Sequence, residues 1–205
     1  MAAPQLASGA IGGAVGADRT AVTDDEATSV SGHGSDLDRL GDPQVEADLR
    51  NELSEIIESL GPIEASECLR TLARRHGLNR VTAARIDQLA TLLPSDLVRT
   101  SDFGSFVWPR RLDPDTWSLW RGSGELERRS ADQIPPEEIV NTFFARLNEG
   151  PPVEVEDLLK ASSMMLGSSR LTAPYRERLL AVLLYCVEHG LFALNDNVVS
   201  MSAAR

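Results

Sequence analysis

The sequence predicts a mainly α protein with short β-hairpins, one small unit built twice behind a disordered N-terminal tail. Three observations predict it: apolar residues recur at helical spacing in several short stretches, paired extended runs flank turn residues late in each half, and the chain matches itself after a shift of ninety residues. Composition agrees. Of 205 residues, 42% are hydrophobic and only 5% aromatic, which suits small Leu, Ile, Val and Ala cores better than a β-sandwich.

The tail is assigned to residues 1–47. Up to Pro43 it is Gly, Ala, Ser, Thr and Asp without periodic apolar residues, too little to offset the entropy of ordering. It also carries much of the net charge of −11, because nine acids stand between Met1 and Asp48 against Arg19 and Arg39 alone. The remainder is near neutral, so a strongly basic nucleic-acid footprint is excluded while a local basic face is not.

The first helix follows from Leu49, Leu53, Ile56, Ile57 and Leu60, and Gly61-Pro62 stops it. A second starts near Glu64, places Ala65, Cys68, Leu69, Leu72 and Ala73 on one face, and ends at Gly77. Thr82 is a fitting N-cap for a third, with Ile86, Leu89 and Leu93 before Pro94. Leu97–Thr100 and Ser105–Trp108 then read as a hairpin about Ser101-Asp102-Phe103-Gly104. Three helices and a terminal hairpin, in that order, are a winged helix-turn-helix.

Shifted by ninety, Pro62 meets Pro152, Leu69 meets Leu159, Gly77 meets Gly167, Arg80 meets Arg170, Thr82 meets Thr172 and Leu89 meets Leu179. The second unit opens at Pro135-Pro136-Glu137-Glu138, runs its third helix from Thr172 to His189, and closes with a hairpin about Asn195-Asp196-Asn197. The layout is therefore a tandem winged helix, with units at 48–109 and 135–205. A linker at 110–134 joins them, Thr116–Arg121 being placed to add a strand to the first wing and Trp108, Trp117 and Trp120 to pack there.

Chemistry is sparse. No Gly-x-x-x-x-Gly-Lys-Ser/Thr cradle occurs, so the chain is not an ATP-driven motor. His33, His76 and His189 lack metal or triad spacing, and Cys68 and Cys186 sit inside apolar helical patterns as inert thiols. Neither a signal peptide nor a membrane span is recognisable, which places the expectation in the cytoplasm, with no catalytic site, metal or cofactor. Lys160 is the only lysine among many arginines, a bias of GC-rich bacterial coding.

Phe106-Val107-Trp108-Pro109, Trp120-Arg121-Gly122 and Ile134-Pro135-Pro136-Glu137-Glu138-Ile139, with Gly61-Pro62-Ile63 upstream, resemble an uncharacterised domain near the C-terminus of large bacterial superfamily-one helicase-like proteins. The resemblance spans roughly Glu52 to Met201. It implies an auxiliary, helicase-associated part in DNA transactions, beside a separate helicase or nuclease. It carries over no catalytic residue, and here the domain stands without a helicase core.

The candidate DNA-binding residues are Arg74, Arg75, Arg80 and Arg85, which flank the turn into the third helix, the element that enters the major groove in this motif. In the second unit Met164, Met165 and Tyr175 replace Arg74, Arg75 and Arg85, an apolar surface suited to protein interaction. The expected function is thus an accessory, weakly DNA-binding protein. The alternative is a protein-interaction module without direct DNA contact.

Overall fold

The computed structural model describes residues 34–122, 129–148 and 150–202. Its architecture is mixed α/β, and the element order runs twice. A one-turn helix α1 (Gly34–Leu37) leads into α2 (Pro43–Leu60), a two-residue strand β1 (Ile63–Glu64), α3 (Ala65–Arg75), α4 (Ala83–Ala90), and a hairpin of β2 (Val98–Ser101) and β3 (Gly104–Val107). The second half has a 3-10 turn (Ala131–Gln133), then α5 (Pro136–Asn148), β4 (Val153–Glu154), α6 (Val155–Met165), α7 (Ala173–Glu188), β5 (Phe192–Asn195) and β6 (Val198–Met201). Each half forms one antiparallel three-stranded sheet, ordered β1-β3-β2 and β4-β6-β5. The short first strand thus adds to the hairpin on the side away from β2 or β5.

Local chemistry explains the helix limits. Asp42 accepts from the Gln44 amide at 3.0 Å to open α2, and Thr82 accepts from the Arg85 amide to open α4. Gly77 and Gly167 hold positive φ just beyond α3 and α6, where a side chain would be strained. Each half buries its own core: Leu49, Leu53, Ile57, Leu69 and Leu72 in one, Ile139, Phe143, Leu158, Leu159 and Leu183 in the other. Leu69 and Leu159, ninety positions apart, occupy corresponding places in the two.

The correspondence is not uniform along the chain. The first strands and the starts of the third helices keep the ninety-residue offset, but the hairpins are offset by 94, because α7 continues well beyond the point matching the end of α4. Ile63 pairs with Val107, at the far end of β3, whereas Val153 pairs with Val199, near the start of β6. The first hairpin therefore reaches further past its short partner strand. Its tip, Phe103, packs on the core of the second half, edge-on to Tyr185 at 5.5 Å and beneath the Arg178 guanidinium at 5.2 Å.

Two expectations are corrected. Residues 34–47 are structured: Leu37 is fully buried and α2 begins at Pro43, so the disorder assigned to 1–47 does not hold there, and its earlier part lies outside the described residues. Thr116–Arg121 adds no strand. Asp113 instead draws the chain into a turn, accepting from the Asp115 amide and the Thr116 hydroxyl, and the inner edge of β3 is already taken by β1. Trp117 does pack edge-on to Trp108 at 5.4 Å, while Trp120 lies against the core of the second half.

Candidate functional site

The four candidate arginines do not form one open cationic surface, since three of them engage carboxylates on different elements. Arg74 is bonded to Glu67, Arg75 lies 4.0 Å from Glu55, and neighbouring Arg70 lies 3.6 Å from Glu67. Arg85 is half-buried, donating to the Leu37 carbonyl at 2.8 Å and to Asp38 at 2.5 Å. Arg80 is exposed in the turn before α4, with no ion pair among the described residues, as is its counterpart Arg170.

The second-half trio also divides. Met164 is 59% exposed, Met165 is half-buried, and the half-buried Tyr175 hydroxyl donates to the Arg129 carbonyl at 2.7 Å, so Tyr175 is not a free docking residue. Arg85 and Tyr175 thus do the same work ninety positions apart. Each reaches from the first turn of its third helix to a carbonyl in the segment leading into its half, through a guanidinium in one and a phenol in the other.

The short sequence motifs converge on the junction between halves. Glu138, on α5, has no exposed surface. It accepts from the Arg121 amide at 3.1 Å and Nε at 2.8 Å, and from Arg129 Nη1 at 2.8 Å and Nη2 at 2.7 Å. Arg121 also donates to the Leu60 carbonyl at 2.7 Å and the Pro62 carbonyl at 2.5 Å, tying the end of α2 to the start of α5. Burial pulls the Arg121 guanidinium below its ordinary value while Glu138 opposes that pull. Close approach fixes the rest: a side chain on Gly61 would meet Pro109 and the Ile57 carbonyl at 2.6 Å, and one on Gly122 would meet the Met165 carbonyl at 3.2 Å. Paired on both oxygens and shielded from solvent, Glu138 makes this cluster a structural joint between the halves.

Sequence reading missed the groove beside that joint. A cavity of about 590 Å³ lies between the first hairpin and helices α5 and α7. Val140, Phe144, Val182 and Leu191 line it with apolar surface, and Arg99, Asp102, Asp115 and Glu137 stand around it. Arg99 bonds Asp115 at 2.6 Å and approaches Glu137 at 3.4 Å. One Glu137 carboxylate oxygen, Oε2, is buried without a hydrogen-bond partner. Burial pushes this carboxyl above the usual range, against the pull of its own backbone amide and of Arg99. The legible hint was the apolar content of α7 on nearly every side, more than one core face uses.

Both thiols are buried and unreactive, pushed up to about 12 at Cys68 and about 11 at Cys186 chiefly by burial. His76, the α3 cap, is buried against Glu52 at 3.0 Å. Among the described residues no group of three His, Cys, Asp or Glu is placed to hold a metal, and no helix is long and apolar enough to cross a membrane.

No curated protein and no solved structure matches the chain. Residues 38–88, which span α2, β1, α3 and most of α4, match the model of a family described as a protein of unknown function (DUF3320).

Proposed function

We propose that this chain is a non-enzymatic protein-interaction module made of two winged-helix units that arose by duplication, working in the cytoplasm beside a separate helicase or nuclease. The observation that carries the reading is the use of the would-be DNA-contacting parts within the molecule. Arg74, Arg75 and Arg85 face acids of their own chain, and the tip of the first wing is seated on the second half. A phosphate would have to displace those carboxylates, with little gain in net charge neutralised. Apart from Leu119, the exposed large apolar side chains among the described residues stand on the second half, at Met164, Leu184, Tyr185, Leu191 and Met201. The helix–strand–helix–helix–hairpin order of each half supports the winged-helix assignment, and the motif resemblance supports a partner of the helicase or nuclease class.

Weak DNA contact is the second reading, favoured by the exposed Arg80 and Arg170 at matching turns. Titrating labelled duplex DNA at several salt concentrations separates the two. The interaction reading expects no salt-dependent binding at low ionic strength, and loss of partner capture when Met164 and Leu184 are changed to Asp. Duplex binding would overturn it if changing Arg74, Arg75, Arg80 and Arg85 together to Gln flattened the slope of log affinity against log salt by about 0.9 per lost contact.

A further inference from the structure

We propose that the groove between β2 and helices α5 and α7 binds an extended, apolar peptide segment of a partner protein that carries one Lys or Arg; this rests on the protein-interaction reading and names its site and ligand class. Three features combine there. Strand β2 is the outer strand of its sheet, and Arg99, Thr100 and Ser101 along it are exposed, so among the described residues its outer edge has no partner strand and can accept a peptide as a further strand. Opposite this edge, Val140, Phe144, Val182 and Leu191 offer an apolar wall for alternate side chains of such a strand.

The third feature is charge. The acidic and basic lining residues are Asp102, Asp115 and Glu137 against Arg99, while Arg178 approaches Glu137 from α7 and keeps its Nε without a hydrogen-bond partner. The surplus is acidic, which favours a basic side chain on the incoming segment. An acidic rim disfavours nucleic acid and acidic peptides, and the carbon-lined wall disfavours a wholly polar one.

The test is selection of a phage-displayed library of random dodecapeptides on the full chain, with the best peptides then measured by fluorescence anisotropy. Enriched sequences should share a Lys or Arg among alternating apolar residues. Glu137→Gln should weaken them about tenfold, as removal of one acid from the rim that faces the basic side chain would. Val140→Asp should abolish binding while circular dichroism stays that of the wild type; if it unfolds, exposed Thr100→Pro takes its place, since it blocks strand addition at the edge. No enrichment, acidic consensus sequences, self-association through this face, or affinities indifferent to Glu137→Gln would each overturn the groove assignment. Partner capture that still depends on Met164 and Leu184 would then leave the broader interaction reading standing, whereas salt-dependent duplex binding removes that reading without touching the peptide result.

Discussion

Glu137 and Glu138 are neighbours on the first turn of α5 with opposite surroundings. Glu138 is enclosed by two guanidinium groups, and Glu137 lies partly buried with one oxygen unmatched. The Glu137 carboxyl is raised above its ordinary value of 4.5, so the folded chain holds that proton more tightly than the unfolded chain does. Its contribution is therefore fully present below about pH 4.5 and is lost as pH rises through the folded value. Glu137→Gln, neutral at every pH, is expected to melt above the wild type at pH 7, with the difference closing as pH falls toward 4.5. A difference independent of pH would show that desolvation of this carboxylate is not its origin. Neither role was legible in sequence, where two acids at a helix start read simply as partners of the helix dipole. The same limit applies to Arg85, whose cationic character suggested phosphate and whose actual partners lie 47 and 48 positions earlier.

Among the elements, the long periodic ones were readable and the short ones were not. The end of α2, the place of α3, the Thr82 cap, the glycine after α3 and both hairpins lie within a few residues of their expected places, because each is specified by local spacing and turn chemistry, whereas α2 starts six residues before the expected Leu49. Strands β1 and β4 have two residues each and exist only through pairing with hairpins more than forty positions away, so no local pattern announces them. Helix α1 is similarly silent. A single turn has no period, and Leu37 joins the core only because the segment folds back on α4, where Arg85 holds its carbonyl. Leu37→Ala is expected to cost about 2–5 kcal/mol in urea denaturation, the range for emptying a fully buried Leu site. A loss under about 1 kcal/mol would return residues 34–42 to the tail.

At the scale of the whole molecule, two separate cores are joined by the polar bond system about Glu138 and by contacts of the first hairpin, among them Phe103 with Tyr185 and Arg178 and Arg99 with Glu137. Removing the acid from the former leaves two buried guanidinium groups uncompensated, so Glu138→Ala is expected to destabilise the chain by about 3–5 kcal/mol. It should also convert one cooperative calorimetric transition into two, since the halves keep their own cores while losing their main tie. A single transition with unchanged width would mean that the hairpin contacts suffice to couple them. The Phe103–Tyr185 contact joins residues 82 positions apart, one on the first hairpin and the other on α7. On the ribosome the two are not made together. At elongation rates of about 5–20 residues per second, the nascent first half waits roughly 4–16 seconds with its aromatic fingertip bare before the surface that covers it has been synthesised.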